Sequence, residues 1–195
     1  MEPQNNPYRQ TKRVVVLGAP GTGKTTIMHR ILHASGQKAL VITPYMNEWS
    51  EVDANGAELY PELQDLRAAN LFYQGIRRHV FQPKYTLEHL NAFVRGIIVY
   101  DDCRAYFKAN LDDKIHAQLL GTRQNMVDIF AIGHGFREVP PVFFTFATEY
   151  ILFRTEDNLD RRASDIRCID KVREMQALVN RNAVQNPFYF KWFKV

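Results

Sequence analysis

Apolar residues along this chain fall into short unbroken runs, separated by stretches with helical spacing. The opening MEPQNNPYRQTK is polar and carries two prolines, so residues 1–11 are expected to be a flexible lead-in. RVVVL at 13–17 is β-branched and apolar, which suits a strand buried on both faces of a parallel sheet. TTIMHRILHASG then places Ile27, Ile31 and Leu32 on one helical face before Gly36 ends it. KALVITP makes a second strand, stopped at Pro44. Residues 45–95 mix short helical patterns with an extended piece at His79 to Phe81, and one helix is expected at about 86–94. GIIVYDD is a third buried strand, DDKIHAQLLGTRQN a helix, VDIFAIG a fourth strand and EYILFR a fifth. From 158 to 182, Leu159, Ile166, Ile169, Val172, Met175 and Val179 recur at helical spacing, predicting one long amphipathic helix. PFYFKWFKV alternates as a terminal strand would.

Strands alternating with helices imply a three-layer α/β sheet with right-handed crossovers and helices on both faces. Ligands on such sheets bind beyond the carboxyl ends of the strands, so the chemistry is sought there. The length of 195 residues fits one domain, expected to span 12–195. With 46% hydrophobic and 24% charged residues the chain can bury a sizeable core, which excludes a disordered class. A net charge of +4 permits a polyanionic partner without requiring one. Cys103 and Cys168 have neither metal-site spacing nor a disulfide framework and read as reduced intracellular thiols. No apolar run approaches the roughly 18 residues of a membrane span.

Gly18-Ala19-Pro20-Gly21-Thr22-Gly23-Lys24-Thr25 satisfies the phosphate-loop pattern, Thr26 follows it, and it stands after a buried strand and before a helix. Backbone N–H groups there, with the positive end of the helix, suit the phosphates of ATP. Lys24 would reach the β- and γ-phosphates, and the Thr25 hydroxyl would bind Mg²⁺. Asp101 and Asp102 end the third strand together, as in a Walker B pattern: Asp101 would hold magnesium through its water shell and Asp102 would polarise the attacking water. The other reading of Asp102 is a helix N-cap for the segment beginning at Arg104. The fourth strand ends at His134, between Gly133 and Gly135. A histidine at a strand end can be purely structural. In a P-loop ATPase sheet of the RecA-like, additional-strand type, ordered 5-1-4-3-2, the same position faces the γ-phosphate, where an imidazole can donate to the phosphate or the lytic water. The flanking glycines suggest a backbone able to shift there.

Over residues 13–157 the chain resembles the FtsK/HerA superfamily of DNA-pumping ATPases, particularly its small viral genome-packaging and Zot-like branches. The resemblance rests on the phosphate loop, VITPYMNEW, IIVYDD, TRQNMVDIFAIGH and EYILFRTED, in that order. In such motors an Arg precedes the fourth strand, a Gln ends it, and a strand ending in an Arg follows. Arg123, His134 and Arg154 occupy the like positions here, with His134 in place of the Gln, and Asp102 stands where Glu is usual. The resemblance implies ATP hydrolysis in a ring, commonly a hexamer, with double-stranded DNA through its centre and Arg123 or Arg154 as an arginine finger for a neighbour. It also implies a cytoplasmic or virion-associated protein with a capsid or portal vertex as a further partner. Basic candidates for DNA are Arg137, Arg77, Arg78, Lys84, Arg161 and Arg162, and FYFKWFKV is a candidate stacking platform for single strands, an edge strand or a subunit contact. Two rival functions share the phosphate loop: a nucleotide or small-molecule kinase, and an ATP-gated switch or assembly factor.

Overall fold

The computed structural model describes residues 10–82, 84–105 and 112–195, so most of the expected lead-in lies outside the described residues. Among the described residues, seven strands form one sheet: β1 (Arg13–Leu17), β2 (Ala39–Thr43), β3 (Ile76–Val80), β4 (Gly96–Tyr100), β5 (Val127–Gly133), β6 (Glu149–Leu152) and β7 (Lys191–Lys194). Their order is β3-β2-β4-β5-β1-β6-β7. All neighbours run parallel except β6 and β7. Without the edge strands β3 and β7, the remaining five have the 5-1-4-3-2 order expected from the sequence.

Alternate side chains on the strands point to opposite faces, and this divides the core in two. Val14 and Val16 pack with Met28 and Leu32 of α1 (Lys24–Ser35), together with Trp49 and Tyr60. Val15 and Leu17 face the other helices: α2 (Tyr85–His89), α3 (Asp112–Asn125), α4 (Pro141–Phe146) and α5 (Ile169–Ala183). β2, β4 and β5 are buried along their whole lengths, which is why they read as unbroken apolar runs.

The structure departs from the periodicity in four places. The helix expected at 158–182 is a 3-10 turn at Leu159–Arg162, then a loop, then α5. Cys168 interrupts it with a left-handed backbone at φ 52°, which no α-helix continues through. The helix expected at 86–94 is the short α2 followed by a 3-10 turn at Leu90–Ala92, and the extended piece begins earlier, at Ile76. The terminal strand is confined to Lys191–Lys194, antiparallel to β6. α4, starting at Pro141, fills a stretch to which the periodicity assigns no element; Pro is well suited to a first helical turn.

Candidate active site

β1, β4 and β5 deliver three polar groups to one end of the sheet. The loop after β1 turns twice through the left-handed region, at Gly21 (φ 75°) and Gly23 (φ 95°), where a side chain would be strained. Gly23 caps α1 with no side-chain hydrogen bond, and the first turn carries no acidic residue. The helix therefore presents open N–H donors and its positive end to an anion. Gly18 has a steric reason to be glycine: a Cβ there would lie 2.4 Å from Phe153.

Lys24 is buried, with its Nζ donating to the carbonyls of Gly18 at 2.6 Å and Ala19 at 3.1 Å. Its third partner is Nδ1 of His134, at 3.2 Å. An ammonium only donates, so Nδ1 must accept and the ring proton belongs on Nε2. Burial lowers the Lys24 pKa, and the nearby carboxylates of Asp101, Glu138 and Asp102 raise it part of the way back.

Asp101, at the end of β4, is 8% exposed, and Trp49 Nε1 donates to its Oδ2 at 2.7 Å. Burial pushes the carboxyl up to about 6, the indole bond opposes the rise, and Glu48 and Asp102 add to it. Asp102 follows with a left-handed backbone, φ 48°, and its Oδ1 is buried without a hydrogen-bond partner among the described residues. An orphan carboxylate oxygen beside a carboxyl strained toward protonation is a donor set that a divalent cation or a bound water would complete. Thr25, Asp101, Asp102, Lys24 and His134 line one cavity of about 550 Å³. The residues expected to hold magnesium, Thr25 and Asp101, thus share a cavity with the loop expected to hold phosphate.

His134 is exposed, and its backbone N–H donates to Glu138 Oε2 at 3.2 Å. Glu138 also accepts from Arg104 Nη1 at 3.2 Å, tying the turn after β5 to the turn after β4. The flanking glycines are explained by close approach: neither has positive φ. A Cβ on Gly133 would meet Val139 at 2.5 Å, and one on Gly135 would overlap the Asp157 carboxylate.

The two arginines part company. Arg154 stands at its own loop: its carbonyl accepts from the Ala19 N–H at 2.8 Å, and its guanidinium pairs with Glu156 at 2.7 Å. Arg123 is exposed at the end of α3, before β5, and so at the opposite end of the sheet from His134. Seven residues of β5 place it roughly 20 Å from its own glycine-rich loop.

The six basic candidates do not gather into one patch. Arg77 and Arg78 lie on the edge strand β3, five positions along the sheet and about 24 Å at the usual strand spacing from β6, the strand whose following loop leads to Arg161 and Arg162. Arg78 must be withdrawn as a phosphate contact. It is buried, paired with Glu62 at 3.3 Å and donating to the Met46 carbonyl at 3.0 Å. Arg162 faces Asp165 at 3.7 Å and Arg77 lies over the Tyr73 ring, whereas Arg137, Lys84 and Arg161 are exposed.

No protein-family profile matches this chain, and no curated protein does. Solved structures do. The genome packaging NTPase B204 from Sulfolobus turreted icosahedral virus 2, in complex with ATP-gammaS, matches with a TM-score of 0.57 and 14% identity, over 97% of this chain and 93% of that one. B204, the DNA-packaging ATPase from Sulfolobus turreted icosahedral virus, matches with a TM-score of 0.59 and 12% identity, over 95% and 94%. The fold is that of a P-loop NTPase similar to B204. The N-terminal domain of zonular occludens toxin from Neisseria meningitidis overlaps less, with a TM-score of 0.43 over 75% of this chain.

Within this B204-like fold, sequence reasoning missed the groups that brace the site. Trp49 reaches Asp101 across 52 residues of chain, and no local pattern announces such a contact. Glu138 sits in the turn that carries His134, and Phe188 belonged to a supposed strand that begins only at Lys191. The one usable signal was NEW at 47–49, an acidic and aromatic group directly after a buried strand. No helix among the described residues is long and apolar enough to cross a membrane.

Proposed function

We propose that residues 12–195 act as one ATPase domain that moves double-stranded DNA, as a viral genome-packaging motor working in a ring, most simply a hexamer. The observation that carries this reading is the place of His134. It ends a strand inserted between the glycine-rich strand β1 and the acidic strand β4, 3.2 Å from Lys24, in a fold similar to a genome-packaging NTPase. Small-molecule kinases lack a polar-ended central strand of this kind, so the inserted β5 argues against the kinase reading.

In this reading, Gly18 to Thr26 hold the phosphates of ATP through backbone N–H groups and the end of α1. Lys24 leaves the carbonyls of Gly18 and Ala19 for the β- and γ-phosphates, a move within reach of its flexible stem. That releases Nδ1 of His134, while Nε2–H is already poised to donate to the γ-phosphate or to the lytic water. Asp102, with its unpartnered Oδ1, orients that water and accepts its proton. Magnesium, held by Thr25 and Asp101, would neutralise phosphate charge. Arg123, too far from its own loop, serves a neighbouring subunit as the finger, and Arg154 stays at the nucleotide of its own chain. Arg137, on the turn that His134 begins, is the DNA contact best placed to follow the nucleotide state, and a capsid or portal vertex would anchor the ring. Such a protein works in the cytoplasm or on the virion.

The test is ATP turnover with and without duplex DNA, with the mass of the nucleotide-bound assembly measured in parallel. DNA-stimulated turnover by a multimer is expected. A chain that stays monomeric with ATP and DNA, with turnover indifferent to DNA, would refute the motor and favour the ATP-gated switch.

A further inference from the structure

Beside the glycine-rich loop, the turn between α5 and β7 shows apolar side chains to solvent. Phe188 is 61% exposed and Val184 85%, with Pro187 exposed between them. The turn is held in place: the Phe188 N–H donates to Asn186 Oδ1 at 3.0 Å, and the Tyr189 N–H to the Asn186 carbonyl at 2.9 Å. The Phe188 ring reaches the cap of α1, with its Cδ1 3.4 Å from where a Cβ on Gly23 would stand.

Phe188 borders the cavity of Lys24, Thr25 and Thr26. Pro187 borders two adjoining cavities of about 510 and 570 Å³, the first shared with Ala19, Pro20 and Gly21 and both with Arg154. Open space therefore runs from the phosphate-binding end of the loop past an exposed aromatic face. A ligand that fills it carries phosphates at one end and a flat, apolar-faced group at the other, which is the chemistry of a nucleotide.

Around Thr155 and Arg154, away from the phosphate end, the polar groups are already engaged. The Thr155 N–H donates to Asn180 Oδ1 at 3.1 Å, and its carbonyl accepts from Asn180 at 2.8 Å and Gln176 at 3.2 Å. Gln176 also holds the Asp157 carbonyl at 2.9 Å, Arg154 is paired with Glu156, and Pro187 has no N–H to offer. Little is left to read the hydrogen-bonding edge of a base, whereas stacking tolerates any base.

We propose that Phe188, flanked by Pro187 and Val184, is the platform on which the base of a bound nucleoside triphosphate stacks, and that the site grips the base by its face and so distinguishes purines weakly. The proposal rests on the reading of Gly18 to Thr26 as the phosphate site, and the experiment separates the two. Calorimetry with magnesium present would compare the wild type, Phe188→Ala and Phe188→Trp against ATP, GTP and inorganic tripolyphosphate. Tripolyphosphate should bind all three proteins alike. ATP should bind Phe188→Ala about tenfold more weakly, the usual size of a lost stacking contact, and Phe188→Trp as tightly as the wild type. GTP should bind the wild type within about fivefold of ATP, because one hydrogen bond reading the base edge would separate them by more. Undiminished ATP affinity in Phe188→Ala, with tripolyphosphate bound, overturns the platform; if that variant instead loses self-association, the ring is a subunit contact. A wild type that prefers ATP over GTP by far more than fivefold overturns the weak discrimination. A wild type that binds neither ATP nor tripolyphosphate overturns the phosphate site and the platform with it.

Discussion

Replacing Asp101 by Asn should make the ligand-free protein more stable at neutral pH. The carboxyl is 8% exposed, and burial raises its pKa from 3.8 to about 6 against the pull of the Trp49 N–H. The folded state therefore holds the proton more tightly than the unfolded chain. Stability from this group is greatest below about pH 4, where the carboxyl is protonated in both states. It falls as pH rises toward 6 and is flat beyond. The gap between 3.8 and about 6, at about 1.4 kcal/mol for each pH unit, comes to about 3 kcal/mol of destabilisation at neutral pH. An Asn has no charge to bury, and its amide oxygen can still accept from Trp49 Nε1. Urea unfolding without magnesium or nucleotide should then show Asp101→Asn more stable at about pH 7.5 by up to about 3 kcal/mol, with the difference closing toward about pH 4. Equal or lower stability of the variant at the higher pH, or a gain that ignores pH, would refute the reasoning. The same variant should lose magnesium-dependent tightening of ATP binding, the trade of stability against activity common at functional sites.

Lys24→Ala should weaken ATP binding itself, whereas His134→Ala should keep it and lose DNA-stimulated turnover; normal stimulated turnover in His134→Ala would remove its role as donor to the γ-phosphate or the lytic water. Gly135→Ala drives a methyl into the Asp157 carboxylate, which holds the Arg137 N–H at 3.4 Å, so it should cost about 1–3 kcal/mol and lower the melting temperature by several degrees; an unchanged melt would show that the turn yields freely. Arg123→Ala should leave ATP binding to the isolated chain intact and cut turnover of the assembly by about a thousandfold. Unchanged turnover would leave Arg123 a surface residue.

What was legible in the sequence is what local chemistry dictates. β1, β2, β4 and β5 are buried on both faces, so they could only be written as apolar runs, and the groups at their carboxyl ends were found by reading where the runs stop. Gly18 to Thr25, Asp101 and His134 all emerged in that way. The 158–182 stretch misled because Leu159, Ile166 and Val172 bury on the same side of the sheet whether or not a helix connects them. Spacing reports which face is buried and cannot see the left-handed residue at Cys168. Nor could Arg78 be told from Arg77 by sequence. Only the fold shows that one of two adjacent arginines turns inward to Glu62.

The ladders on both sides of β5 limit what His134 can do. β5 is hydrogen-bonded to β1 along one edge and to β4 along the other, so it cannot slide without tearing two rows of bonds. Any stroke that begins at this histidine must be a rotation of the short turn beyond Gly133, pivoting on a fixed strand end. In the proposed motor, the reach of such a stroke would be set by the length of that turn and its Glu138 tether, and each cycle would start again from the same fixed strand end.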